Sequence, residues 1–263
     1  MISLQNINII FSQDTPLETH ALNDLNLEIK DNEFITVIGS NGAGKSTLLN
    51  CIAGAYQPTS GNIQFDNEIV NDLPAYKRAS LVSRVFQDPL AGTCEDLSIE
   101  ENFALAITRG QKRGLRPALG AKNREYFKDQ LKILNLGLEN RLKDKVALLS
   151  GGQRQALSLL MSTSNPMKIF LLDEHTAALD PKTTQFVLDL TQKIITEKNF
   201  TTLMVTHSMR QALDYGNRLI MLHKGKVLFD FAEEEKSKLT VNDLLTMFHK
   251  VDKDLVQDEL VLS

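Results

Sequence analysis

Three short stretches of this chain combine residue types and spacings suited to chemistry. The first is Gly39-Ser40-Asn41-Gly42-Ala43-Gly44-Lys45-Ser46, which fits G-x-x-x-x-G-K-[ST]. Glycines let a loop wrap closely around a phosphate with its N–H groups turned inward. The lysine can then reach the β- and γ-phosphates of a nucleotide, and the serine hydroxyl can meet Mg²⁺. The second is Asp173-Glu174, delivered by the apolar run Ile169-Phe170-Leu171-Leu172. One carboxylate can hold a metal through water, and its neighbour can orient an attacking water. The third is Ser150-Gly151-Gly152-Gln153. Serine with glutamine three residues on is a capping box, here opening a helix expected from Arg154 to Ser164. Its two glycines expose backbone N–H groups at a helix N-terminus, which makes a second anion site.

These residues need elements to carry them. Phe34-Ile35-Thr36-Val37-Ile38 is β-rich and apolar on both faces, as in the middle of a parallel sheet, and ends at Gly39. A helix follows with Leu48, Leu49, Ile52 and Ala53 on one stripe and Gly54 at its end. The alternation returns with a buried strand from Lys168 to Leu172 and a helix opened by Asp180-Pro181. A third buried strand, Thr202 to Thr206, precedes a short helix, and Lys224-Gly225 reads as a hairpin turn. Strand–helix alternation of this kind implies an α/β sheet covered on both faces. The first 30 residues instead alternate like a half-exposed antiparallel sheet, residues 88 to about 165 read as a helical insertion, and Glu233 to Phe248 reads as an amphipathic tail.

Composition narrows the class. The 263 residues carry 29 Lys+Arg against 33 Asp+Glu, a net charge of -4, so nothing draws the chain broadly to nucleic acid. No run approaches the roughly 18 apolar residues of a membrane-spanning helix, and the N-terminus lacks a secretory pattern. Cys51 and Cys94 form neither a metal nor a disulfide framework, which fits a reducing, cytosolic setting with both cysteines structural.

GSNGAGKS, LSGGQ, IFLLDE, Ala178-Leu179-Asp180 and His207 occur in the order and spacing of the nucleotide-binding subunits of ATP-binding-cassette (ABC) transporters, and over residues 1 to 230 the chain resembles them. The resemblance implies an α/β P-loop NTPase cassette: a RecA-like core with an antiparallel β subdomain and a helical insertion. Its parts would be an ATP-binding core at 1–87 and 166–230, a helical signature subdomain at 88–165, and a tail at 231–263. It implies ATP and Mg²⁺, with Phe11, Gly39, Ser40, Asn41, Gly42, Ala43, Gly44, Lys45, Ser46 and Thr47 around the nucleotide. Glu174 would be the catalytic base. His207 would contact the γ-phosphate. Gln87 would meet both Mg²⁺ and the attacking water, and Ser46 and Asp173 would serve the metal. Ser150, Gly151, Gly152 and Gln153 would close the site from a second copy, with Asp180 at the interface, in a head-to-tail homodimer.

The implied partners are separate transmembrane permease subunits and an extracytoplasmic substrate-binding protein, with the chain peripheral on the cytoplasmic membrane face. The stretch Asp88 to Glu101 would face the permease. DEHTAALDPKT, TTLMVTHSMRQAL and GNRLIML resemble importer ATPases found beside substrate-binding lipoproteins proposed for aromatic amino acids. An exporter ATPase, a soluble assembly-scaffold ATPase and a regulatory nucleotide-binding module are the competing readings; Glu174 and His207 argue against the last. Three positions stay open. Phe11 stands where a Tyr is commoner, to stack on adenine or to fill a core strand. His175 stands where many members have Pro, beside the base, where it could respond to pH. The run Arg109, Lys112, Arg113, Arg116, Lys122 and Arg124 suits either a solvated face or a contact to permease or lipid.

Overall fold

A computed structural model describes residues 1–111 and 118–250. The chain opens with strands β1 (Ile2–Phe11), β2 (Thr19–Ile29) and β3 (Phe34–Gly39), then helix α1 (Lys45–Ala53). Next come β4 (Ser60–Phe65), β5 (Glu68–Ile69), α2 (Ala75–Arg78) and β6 (Val82–Val85). Three helices follow, α3 (Ile99–Ile107), α4 (Ala121–Lys132) and α5 (Gly151–Ser162). The remainder is β7 (Ile169–Asp173), α6 (Pro181–Lys198), β8 (Thr202–Val205), α7 (Met209–Asp214), β9 (Arg218–His223), β10 (Lys226–Phe231) and α8 (Glu233–Lys236). Residues 241–250 are again helical.

The strands form two sheets. One is antiparallel, in the order β2-β1-β4-β5; the other runs β10-β9-β3-β8-β7-β6 and is parallel from β9 to β6. The central strands of the larger sheet are buried on both faces because alternate residues enter different cores. Ile169 and Leu171 of β7 pack with α1 and the small sheet, whereas Phe170 and Leu172 pack against α3 to α6. That is why these strands are continuously apolar rather than alternating.

Register places the chemistry. Val205 of β8 pairs with Val37 of β3 on one side and Asp173 of β7 on the other. The loops after these three strands therefore leave the sheet at one level of its C-terminal edge, where ligands collect in open α/β sheets.

Some boundaries differ from the sequence expectation. The helix expected from Arg154 begins at Gly151 and ends at Ser162, because Ser150 itself is the cap residue. The edge strand β6 has no counterpart in the sequence reading. Its polar residues turn inward: Ser83 Oγ donates to the Ser162 carbonyl and Arg84 pairs with Asp173. Arg109 turns inward, whereas Arg124 stays exposed and is paired. Arg109 Nη1 donates to Ser83 Oγ, and Arg124 makes a two-point pair with Glu100. Lys112, Arg113 and Arg116 lie outside the described residues.

Candidate functional site

The glycine-rich loop leaves β3 and turns into α1 through Gly44, whose φ is +97°. That conformation suits glycine, and an added Cβ there would sit 2.5 Å from the Ala21 carbonyl oxygen. Lys45 folds over the loop, donating from Nζ to the Gly39 and Ser40 carbonyls at 2.8 and 3.0 Å. Burial pushes its pKa down, and the nearby Glu174 and Asp173 charges push it back up.

Glu174 begins the loop after β7. Its backbone N–H donates to the Val205 carbonyl and its φ is +45°, a left-handed conformation costly for a residue with a Cβ. Its side chain is largely buried, and Oε1 lies 2.6 Å from His207 Nε2. His207 stands between β8 and α7, in a turn fixed on both sides. Thr206 Oγ1 donates to Gln211 Oε1, and Ser208 Oγ accepts from the Gln211 N–H as helix cap.

A cleft of about 520 Å³ gathers these groups. Its walls include Asn41 to Thr47, Gln87, Glu174, His207 and, at the rim, Phe11. Phe11 is 38% exposed and packs edge-to-face on Tyr56, with ring centroids 5.3 Å apart. It is thus not a core residue, and the core alternative is set aside. The antiparallel sheet supplies the aromatic ring, and the parallel sheet supplies the phosphate loop.

Asp173 is held differently. Its Oδ2 lies 2.5 Å from Arg84 Nη2, and Arg84 Nη1 donates to Asn50 Oδ1 of α1 at 2.6 Å. Sequence reasoning missed Arg84. The only signal was a cation in a short β-prone stretch, Val82-Ser83-Arg84-Val85-Phe86. Among the described residues no group of three or more His, Cys, Asp or Glu could hold a metal. Ser46 and Gln87 line the cleft and Asp173 does not, yet a hydroxyl, an amide oxygen and a carboxylate are donor types that suit Mg²⁺ beside phosphate oxygens. That ion usually takes one or two carboxylates and leaves the remaining positions to water and substrate.

Ser150, Gly151, Gly152, Gln153 and Asp180 are not among the residues lining this cleft. The capping box is formed: Ser150 Oγ accepts from Gln153 N–H, and Gln153 Oε1 from Ser150 N–H. Asp180 caps α6 by accepting from the Lys182 and Thr183 N–H groups, and hydrogen bonds with Thr183 hold its carboxyl below the usual range. The doubled glycine has two different causes. A Cβ on Gly151 would meet nothing closer than Leu179 at 3.8 Å, but one on Gly152 would overlap the Thr183 methyl. Gly152 is therefore required by packing between α5 and α6, in addition to any exposure of its N–H.

His175 turns away from the cleft. It is buried, with Nε2 3.1 Å from Thr191 Oγ1 of α6, and burial pushes its pKa down to about 4. The idea of a pH-responsive group acting at the base is corrected accordingly: this imidazole is neutral at physiological pH and serves the packing of α6. A second concavity, about 420 Å³, lies beyond Gln87 and is bordered by Phe86, Gly92, Cys94, Asn102 and Leu105.

Such a loop, strand-end carboxylate pair and histidine define a nucleoside-triphosphate-hydrolysing cassette. The comparisons make this specific. The family model for ABC transporters matches residues 22–177. The chain is 48% identical over 250 residues, 94% of its length and 98% of the relative's, to a tyrosine transport ATP-binding protein of Clostridioides difficile strain R20291. It is 32% identical over 250 residues, 93% of its length and 98% of the relative's, to a phosphonates import ATP-binding protein of Lactococcus lactis subsp. lactis. Among solved structures, an ATP-binding cassette in a dimeric post-hydrolysis state with ADP and Pi matches with a TM-score of 0.76. Identity there is 32%, over 89% of this chain and 99% of the other. The chain belongs to the ABC transporter ATP-binding family and is an ATPase.

Proposed function

We propose that this ATPase powers solute import through separate permease subunits, with two copies closing head-to-tail on two ATP molecules. The observation that carries the reading is the division of groups within one chain. The phosphate loop, Gln87, Glu174 and His207 share one cleft, while Ser150, Gly152 and Asp180 lie outside it. A second copy related by a two-fold axis would bring its Ser150 and Gly152 N–H to the γ-phosphate, so each site is completed only on closure.

Within that frame the roles follow from position. Phe11 stacks on the adenine. Backbone N–H groups of Gly42 to Ser46 and the Lys45 ammonium hold the phosphates, at a helix N-terminus that favours anions. Glu174 orients the attacking water and accepts its proton as the oxygen bonds to the γ-phosphorus and the bond from that phosphorus to the β–γ bridging oxygen breaks, releasing ADP and phosphate. The short contact to His207 keeps that carboxylate aimed, and the same ring would contact the γ-phosphate. Gln87 positions the water from the other side. Mg²⁺, when bound, neutralises developing charge on the β- and γ-phosphates; Ser46, Gln87 and Asp173 are the residues that would hold it.

No helix among the described residues is long and apolar enough to cross a membrane. The concavity edged by Phe86, Gly92, Cys94 and Leu105 is the surface we assign to permease docking; Gly92 and Cys94 belong to the stretch Asp88 to Glu101. The tyrosine-transport relative makes aromatic amino acids the solute class we favour.

The test is complementation. Glu174→Gln and Ser150→Arg subunits should each be inactive alone, since each carries the same defect in both sites of its dimer. Mixed, they form dimers with one intact site, and ATPase activity returns. No recovery on mixing refutes the shared site. Recovery of a polytopic permease and a binding lipoprotein with the chain from solubilised membranes supports import; a soluble assembly complex would support the scaffold alternative.

A further inference from the structure

Arg84 is the one charged side chain in β6, and it does more than fill space. Its guanidinium makes three contacts, with Nη2 on Asp173 of β7, Nη1 on Asn50 of α1, and its carbon 4.8 Å from the centre of the Phe86 ring beside Gln87. Both charged partners are about seven-eighths buried, with side-chain exposures of 13% and 12%. Its Nε is buried without a hydrogen-bond partner among the described residues, so the group's orientation is set by the two Nη contacts and the ring. A forked, flat cation held at three points fixes a carboxylate's direction in a way that a flexible ammonium does not.

We propose that Arg84 is a positioning residue for Asp173: an internal counter-cation that holds this carboxylate in place and competes with a divalent metal for its charge. The inference rests on the reading of Asp173 as the metal-side carboxylate. Lys45 already shares the fields of Asp173 and Glu174, so two carboxylates face one ammonium at the phosphate loop. Arg84 removes the excess negative charge. A polyphosphate can then enter without meeting a bare carboxylate, and the metal must share Asp173 with the guanidinium. Removing one partner of a buried pair leaves the other charge uncompensated, which is costly at this degree of burial. Without Arg84, that uncompensated charge would repel a metal-free nucleotide and attract a divalent ion more strongly.

The experiment compares ATP binding by calorimetry in EDTA and with Mn²⁺, on the full chain. In Arg84→Met, affinity for metal-free ATP should fall at least about tenfold, while affinity for ATP with Mn²⁺ holds or rises, so the ratio of the two widens by about tenfold or more. A merely structural loss would weaken both in proportion and leave the ratio unchanged. Arg84→Lys keeps the charge without the fork and should give an intermediate ratio; it also serves if Arg84→Met does not fold. A wild-type ratio in either soluble variant overturns the proposal. Asp173→Asn separates the two layers. If it leaves the Mn²⁺ dependence untouched, the metal-side reading of Asp173 fails. If it abolishes that dependence while the Arg84 variants keep the wild-type ratio, only the Arg84 inference fails.

Discussion

His175 makes the stability of the cassette depend on pH in a way that can be isolated. The ring is buried against α6, where Nε2–H donates to Thr191 Oγ1, whose own proton goes to the Val187 carbonyl, and its pKa is pushed down to about 4 from an ordinary 6.5. A histidine depressed by burial is neutral in the folded chain, whereas the unfolded chain takes up a proton once pH falls below about 6.5. Stability from this group is therefore complete above that pH and is lost as pH falls toward 4. Between about pH 7.5 and pH 5 the linkage amounts to about 2 kcal/mol, from 1.36 kcal/mol for each unit of difference between the two states. The perturbation is His175→Gln, which keeps a polar atom near Thr191 but does not titrate. Urea unfolding at the two pH values gives the comparison. The wild type should lose about 2 kcal/mol more than His175→Gln over this interval. Parallel losses in the two proteins would refute the assignment of a neutral, buried imidazole at this position.

Two further outcomes test the site and its supports. Lys45→Ala should weaken ATP binding by about tenfold or more, the value of a charge-assisted contact to phosphate, as measured by calorimetry; a change within about twofold would remove Lys45 from the nucleotide. Gly152→Ala should cost about 1–3 kcal/mol of unfolding free energy through overlap with the stiff Thr183 side chain, and Thr183→Ser, which deletes the offending methyl, should restore most of it. Gly151→Ala serves as control and should be close to neutral by the same denaturation assay.

What the sequence made visible follows from how local each determinant is. The strands β3 and β7 announce themselves because both faces are buried, so no alternation interrupts them. The start of α6 is written in Asp180-Pro181, a cap and a first-turn proline, and the turn between β9 and β10 in Lys224-Gly225, which take φ values of +45° and +76°. The strand β6 was hidden because Ser83 and Arg84 look exposed until their partners are known. Those partners lie 79 and 89 residues away and meet them only through the fold. The same holds for the Phe11–Tyr56 ring pair, and for the direction of His175, where a one-residue difference in a loop separates the cleft from the core. Of the glycines after Ser150, the sequence indicated only that they were unusual. That one of them answers to Thr183 requires the position of α6.

The contact between Gly152 and Thr183 has a geometric consequence. It brings the first turn of α5 against the first turn of α6, which carries the caps Ser150 and Asp180. Because only the Thr183 side chain separates them at that point, the spacing between these two turns is set by van der Waals contact inside each chain. An approaching second copy would meet a single preset edge instead of two independently mobile loops. The tolerance of that joint is therefore machined before any nucleotide or partner arrives, and a single methyl group at Thr183 defines it.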